Sequence, residues 1–395
     1  MSAKLDSDAR SEAVALCASD IEMADFVAID LEFSGLFMPE AKDSTASMGL
    51  SKDDYFRRCA HSIPQFLALQ LGVCCGRHFP NAKPEGSEVD RLRGVVGMWE
   101  LRTHEFNMWP KDRGSVFCAD LNSLRFLRTH GFDFNAYFES AHWHTRLPPV
   151  DSEPVKRPQL NNVSHLLGVV RSSGVPLIVH NGLLDLLHLY DKFVGKLSSE
   201  RQEFAKAWLQ HFPLLFDTRH IAEEGRHQVL RHSGGLSLEV LHKHLTSTYP
   251  TRVWMTRGGP VGTDVPKAHG SAGYDALLTA EVFLMEIDLW LRSDAPISAE
   301  AQKRRRAQCG EDALAGNQSK EKEEEEEVWA CEGWAVVEQS SSKKRRKEAA
   351  AKQGLVSSKQ LQTHEVCRQF HNRIAIRGAS PGSWYLGSAN VAATV

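Results

Sequence analysis

The sequence predicts an α/β protein built on a mixed β-sheet. Strand patterns at 26–33, 66–75 and 95–109 come first, and compact apolar strands that run straight into helices follow. Strands in succession, then strands interleaved with helices, call for both antiparallel neighbours and crossover connections in one sheet. The 395 residues suit one large or two modest domains, and a hydrophobic content of 42% is enough for a sizeable core.

Val14, Cys17 and Ile21 recur at helical spacing within 10–23, so a short helix precedes the first strand. In FVAIDLEF (26–33), Val27, Ile29, Leu31 and Phe33 fall on one face, and Phe26, Ala28, Asp30 and Glu32 on the other. FLALQLGVCC (66–75) reads as a buried strand, PNAKPEGSEVDRLR (80–93) as a hairpin connection, and VVGMWELRTHEFNMW (95–109) as one or two further strands. SLRFLRTHGF (123–132) is a helix closed by Gly131, and 141–160 a Pro-rich loop. VSHLLGVVRSS (163–173) is a helix, and PLIVHNG (176–182) a buried strand leading into the helix LLDLLHLYDKFVGKL (183–197). FAKAWLQHF (204–212) is a helix and LLFDTRHIAEE (214–224) a strand-to-helix turn. LSLEVLHKHL (236–245) is helical, with Leu238, Leu241 and Leu245 on one stripe, and 272–292 is the longest helical run.

The folded domain is placed at 10–292. Residues 295–362 hold KRRR (303–306), EKEEEEE (321–327) and KKRRK (343–347), and such blocks of like charge are expected to be disordered. CRQFHNRIAIRG (367–378) and WYLG (384–387) regain strand character, so a strand within 367–390 is expected to return and dock on the main sheet.

The net charge of −3 excludes an overall polycation. The eight Cys form no C-x-x-C pair and are expected to be reduced thiols in an intracellular protein, with Cys74 and Cys75 filling the core. No segment nears the roughly 18 consecutive apolar residues of a membrane span, and the first residues lack the apolar core of a signal peptide and carry acids unlike a transit peptide. A membrane role is therefore not expected.

Asp30 and Glu32 present two carboxylates at one place on an otherwise greasy strand. Asp185 sits in a helix apolar nearly all round, and Asp275 in the first turn or two of another, with His269 six residues before it. Each has a plain structural reading: a pair at a sheet edge facing water, two acids complementing helix dipoles, an ordinary loop histidine. Taken together they are four acids at element ends of one α/β domain. Buried carboxylates are tolerated when they hold cations, and all-oxygen donor sets suit Mg²⁺ or Mn²⁺. Two such ions clamp the attacking and leaving oxygens of a phosphodiester displacement, which also needs a proton acceptor, most often His.

The combination D-x-E-F-S-G-L (30–36), H-N-x-L-L-D-L (180–186), F-D-T-R (216–219) and H-x-x-A-G-Y-D-A-x-x-T (269–279) resembles the DEDDh deadenylases. EFSGL and HGFDFN (130–135) place the chain near the poly(A)-specific ribonuclease branch. The resemblance covers about residues 20–292 and again 367–390. It implies a ribonuclease H-like mixed β-sheet flanked by helices, with a largely disordered C-terminal insertion. It implies a Mg²⁺-dependent 3′→5′ exoribonuclease that removes 3′ adenosines from mRNA or from small nuclear or nucleolar RNA and releases 5′-AMP. Asp30, Glu32, Asp185 and Asp275 would hold two Mg²⁺ (or Mn²⁺), and His269 would take the proton from the attacking water. The partner would be a single-stranded RNA 3′ end, poly(A) or oligoadenylated. Family members place the histidine five residues before the aspartate, whereas the gap here is six, so a one-residue bulge is needed to keep His269 in reach. A nuclear relative carries a CCCH zinc finger between the last two motifs; residues 223–268 contain no Cys, so that finger is absent. His227, His232, His242 and His244 lie in that stretch and are read as ordinary helix or surface residues. Asp217 matches a position that is mostly structural.

Phe33 and Leu36 follow the acidic pair and could contact the terminal base, although strand alternation equally sends Phe33 into the core. Asn181 could bond the RNA or cap the following helix. The basic runs fit nuclear localisation signals, which favours the nucleus over the cytoplasm. Two other readings stay open: a catalytically weak relative that binds RNA or serves as a scaffold, and an exonuclease acting on DNA.

Overall fold

A computed structural model describes residues 2–38, 50–83, 97–111, 117–149, 162–224, 235–248, 253–258, 271–292, 358–376 and 383–387. Met1–Asp288 with Leu355–Val395 form one compact unit, and Leu289–Gly354 a second. Of the charged stretch expected to be disordered, 295–362, residues 295–357 lie outside the described residues, as does His269. The expected boundary at 362 moves, because Ser358–Thr363 is a helix with Leu361 fully buried.

The first unit is organised by a seven-stranded mixed sheet. Strands β1 (Phe26–Phe33), β2 (Ala68–Phe79) and β3 (Met98–Pro110) form an antiparallel meander. β5 (Leu177–Val179) joins β1 in parallel, and β6 (Leu215–Asp217) joins β5 in parallel. On its other side β3 pairs with β4 (His142–His144) near one end and β7 (Met255–Gly258) near the other. The order β4-β3-β2-β1-β5-β6 puts β1 in the middle, with parallel neighbours on one side only. This is the ribonuclease H-like arrangement that the resemblance implies. It leaves the C-terminal end of β1 free to carry side chains where the connections on its two sides diverge.

Helices cover both faces. α1 (Ser2–Met23) buries Val14, Cys17 and Ile21 at the expected spacing and packs on α5 (Ser164–Ser173). Val27, Ile29 and Leu31 enter the same core, as the alternation predicts, with α2 (Lys52–Ser62) supplying Phe56 and Cys59. The opposite face is covered by α10 (Ala272–Arg292), whose Phe283 makes ring contacts with Phe26 at 5.3 Å and Phe216 at 5.2 Å. Cys74 and Cys75 are buried between the layers, with free thiols. Among the described residues no helix is long and apolar enough to cross a membrane.

Several expectations shift in detail. The described part of the stretch 95–109 holds one strand, β3. The predicted helix at 123–132 ends early as α3 (Leu121–Thr129), capped by Asp120, and a second helix, α4 (Phe134–Ser140), starts on Asp133. Gly131, at φ 94, makes the break that only a residue without a Cβ takes easily. Part of the predicted loop 141–160 is β4, which earns strand geometry by pairing with β3. α6 (Leu183–Leu189) closes in a π-turn, Tyr190–Val194, short of the predicted end at 197. α7 (Arg201–His211), α8 (Thr218–Glu224) and α9 (Leu238–Thr248) follow in order. After α11 (Ser358–Thr363) and α12 (Glu365–Arg368), β8 (Arg373–Ala375) pairs with β9 (Ser383–Tyr385). The returning segment thus forms its own two-stranded sheet instead of extending the main one. Asn372 fastens it beside β6: Asn372 N donates to the Leu215 carbonyl at 2.8 Å, and Leu215 N donates to Asn372 Oδ1 at 3.0 Å.

Candidate active site

The first acidic pair stands at the end of the central strand. In the sheet, Asp30 lies opposite Gly72 and Glu32 opposite Gln70. The register slips between Glu32 and Phe33, which ends regular pairing just after the acids. Asp275, in the first turn of α10, comes down onto the same face. Single carboxylate oxygens of Asp30, Glu32 and Asp275 all lie within 4.8 Å of one another. Asp185 arrives from the first turn of α6, and its Oδ1 accepts a hydrogen bond from Leu31 N at 3.2 Å. That bond aims it at the strand between the two acids. Asp185 lies outside the 4.8 Å group.

The electrostatics of the cluster follow from burial and crowding. Burial holds the Asp30 carboxyl well above the usual range, reinforced by Asp185, Asp275 and Glu32. Glu32 is pushed up to about 8 by burial, then by Asp275, Asp185 and Glu105. Asp185 also rises to about 8: burial outweighs the lowering from its own backbone N–H and that of Leu31, and Asp217 and Asp275 add repulsion. Like charges crowded in a poorly solvated site cannot all ionise unless a cation joins them. Oxygen-only donors at this spacing fit hard divalent ions such as Mg²⁺ or Mn²⁺.

Asp217, at the end of β6, is a hub of structure. It is fully buried and accepts from the backbone N–H groups of Asn181, Gly182, Arg219, His220 and Ala375, at 2.9–3.5 Å. It therefore joins the turn before α6, the start of α8 and the returning β8. Burial still raises it to about 6 against those bonds. The turn itself is tight. Asn181 sits at φ 54, and a Cβ on Gly182 would stand 2.4 Å from Val179 Cγ2. His180 is spent on structure: its two ring nitrogens meet Thr218 Oγ1 at 2.8 Å and the Leu236 carbonyl at 3.0 Å. Burial lowers it to about 4, so it stays neutral.

The structure brings Asp30, Glu32 and Asp275 together, with Asp185 beside them. It does not describe His269. Phe33 is half-buried and stacks on His188 at 4.2 Å, satisfying the packing reading of that residue while keeping one part open. Leu36 is exposed. Of the intervening histidines, His242 pairs with Glu281 at 2.7 Å, and Glu281 also receives two bonds from Arg257. His227 and His232 lie outside the described residues. Gln70 and Glu105, which no sequence motif marks, reach the start of α10 from β2 and β3. A lone amide in the apolar run FLALQLGVCC was the one signal available for Gln70.

A ribonuclease H-like sheet that gathers acids from β1, α6 and α10 defines the exonuclease class the motifs resemble. The model of the CAF1 family ribonucleases matches residues 7–141 and 151–283, and the chain belongs to that family. Among curated relatives it is 31% identical over 144 residues to the 3′-5′ exoribonuclease parn-1 of Caenorhabditis elegans, spanning 34% of this chain and 24% of that protein. It is 32% identical over 126 residues to the poly(A)-specific ribonuclease PARN of Danio rerio, 31% of this chain and 18% of that one. The matches thus cover a quarter or less of those relatives' length. Among solved structures, the Mg²⁺- and Mn²⁺-bound form of S. pombe Pop2p aligns over 73% of this chain and 91% of its own, at 20% identity and a TM-score of 0.45.

Proposed function

We propose that this chain is a metal-dependent 3′→5′ exoribonuclease that removes adenosines from RNA 3′ ends and releases 5′-AMP. The observation that carries this is the convergence of Asp30, Glu32 and Asp275 within 4.8 Å, with Asp185 fastened to Leu31 between the first two. In this reading the four acids hold two Mg²⁺ or Mn²⁺ ions. When bound, such ions neutralise phosphate charge and lower the pKa of water. The chain's own contribution is placement: three elements deliver carboxylates to one spot, and α6 and β1 lock Asp185 there. His269, two residues before Ser271, is the proposed proton acceptor. Leu36, exposed and close after Glu32 in the sequence, and the open part of Phe33 are the proposed contacts to the terminal base, with Asn181 at the turn before α6. The relatives named for poly(A) support adenosine as the substrate, on mRNA tails or oligoadenylated small RNA. The runs KRRR (303–306) and KKRRK (343–347) support residence in the nucleus.

The test is a comparison of single-stranded oligo(A), oligo(U) and DNA, with Mg²⁺ or EDTA, for the wild type and Asp275→Asn. The expected result is Mg²⁺-dependent release of AMP, fastest on oligo(A), and loss of activity in the variant by about 1,000-fold or more. RNA binding with no hydrolysis by the wild type would replace the enzyme reading with that of a binding or scaffold relative. Equal rates on all three polymers would remove the adenine preference.

A further inference from the structure

An α-helix leaves its first N–H groups without partners inside the helix, and these are usually capped by the residues just before it. At the start of α10 Ser271 supplies such a cap, with Tyr274 N donating to its Oγ at 3.4 Å, but the first two N–H groups are held from the sheet. Ala272 N donates to Gln70 Oε1 at 2.9 Å, across 202 positions of sequence. Gly273 N donates to Glu105 Oε2 at 3.0 Å, across 168 positions. The Ser271 hydroxyl donates a short hydrogen bond to the same Glu105 oxygen. Gln70 is itself oriented, because its Nε2 donates to Asn107 Oδ1 at 3.0 Å.

These anchors share two rows of the sheet with the acids. Glu32, Gln70 and Asn107 are consecutive partners across β1, β2 and β3, and so are Asp30, Gly72 and Glu105. Gly72 leaves the gap in its row that the backbone of α10 fills: an added Cβ would meet the Ala272 carbonyl oxygen at 1.8 Å. The first turn of α10 therefore lies on β2, with one strand-borne acceptor on each of its first two N–H groups. A local cap would only end the helix. Acceptors on two different strands fix where the helix begins and how it is rotated relative to β1.

We infer that Gln70 and Glu105 are positioning residues: they pin the first turn of α10 to β2 and β3 and thereby hold the Asp275 carboxylate within reach of Asp30 and Glu32. This rests on the reading of those acids as a metal site. A carboxylate at a helix N-terminus is also favoured by the dipole, but Glu105 acts here as an acceptor fixed in space, so its charge is dispensable. The amide of a glutamine can accept the same bonds.

The test measures Mn²⁺ binding to the full chain by electron paramagnetic resonance, with circular dichroism to check folding. Gln70→Ala and Glu105→Ala should each weaken Mn²⁺ binding by about 10-fold or more, whereas Glu105→Gln should stay within about 3-fold of wild type. The same two alanine variants should lower kcat for Mg²⁺-dependent hydrolysis while leaving KM for RNA in place. Folded alanine variants that bind Mn²⁺ as wild type does would overturn this inference alone. No Mn²⁺ binding by the wild type would overturn both it and the metal reading of the site. If the alanine variants do not fold, Asn107→Ala decides, because it frees Gln70 without touching α10 or the acids: a loss of about 3-fold supports the inference and unchanged binding overturns it.

Discussion

Replacing Gly72 by alanine should separate the acids of the site without altering any of them. A Cβ there would stand 1.8 Å from the Ala272 carbonyl oxygen and 2.6 Å from Gly273 N. Both are backbone atoms, so no change of rotamer relieves the overlap. Interiors are close-packed, and restoring an ordinary contact near 3.4 Å requires the first turn of α10 to lift by about 1.6 Å. That movement breaks the bonds from Ala272 N to Gln70 and from Gly273 N to Glu105. Two net hydrogen bonds at about 1 kcal/mol each, with some overpacking strain, give a loss of about 2–4 kcal/mol. The lift also draws Asp275 away from Asp30 and Glu32, and misplacement by about 1 Å costs on the order of 100-fold in rate. The assay is kcat/KM for Mg²⁺-dependent AMP release from oligo(A), together with Tm in EDTA. The expected outcome is a fall of about 100-fold or more in kcat/KM and a Tm lower by several degrees. A variant with wild-type Tm and kcat/KM within about 3-fold of wild type would refute the claim that the seating of α10 on Gly72 sets the site.

Other outcomes follow from the same contacts. In EDTA, stability should fall as pH rises from about 4 to 8, because Glu32 and Asp185, held up to about 8 in the folded chain, retain protons that the unfolded chain has released. Saturating Mg²⁺ should flatten that slope in thermal melts at pH 5 and pH 8, and an EDTA slope of opposite sign would count against the burial of these acids. Asp185→Asn keeps an acceptor for Leu31 N and removes a charge, so it should raise the metal-free Tm at pH 8 while abolishing Mg²⁺-dependent hydrolysis; a lower Tm would contradict the repulsion. Asp217→Asn exchanges one acceptor oxygen for a donor amid five backbone N–H groups and should cost about 2–4 kcal/mol by denaturant titration, with loss below about 1 kcal/mol arguing against its role as a hub. Asn372→Ala should lower Tm and expose the C-terminal hairpin to protease, since Asn372 holds φ 55 and bonds Leu215, Pro213 and Gly387; unchanged cleavage would mean the hairpin is held by its apolar contacts instead.

Much of the fold was legible because long elements write their own period. Val14, Cys17 and Ile21 marked the buried stripe of α1, and the alternation of β1 sorted Ile29 and Leu31 from Asp30 and Glu32. The 21 residues of α10 were found to the residue, since an apolar run of that length has few other uses. β4 and β7 were missed for the opposite reason. Each has only three or four residues, lacks the compact apolar run that marks the equally short β5 and β6, and takes strand geometry from β3. The π-turn at Tyr190–Val194 and the break at Gly131 likewise follow from packing and a single φ, which leave little trace in composition.

By itself, then, the sequence singled out the acids of β1, α6 and α10: they announce themselves as carboxylates set among apolar neighbours, a costly choice that local patterning exposes. The tertiary structure decided that three of them meet within 4.8 Å and that Asp185 is tied to Leu31. It also decided that Gln70 and Glu105, unremarkable in sequence, seat the helix that brings Asp275. The physical reason is the distance along the chain. These contacts join residues 154 to 202 positions apart, and no local periodicity encodes a register that only the closed sheet and the helix packed upon it can set.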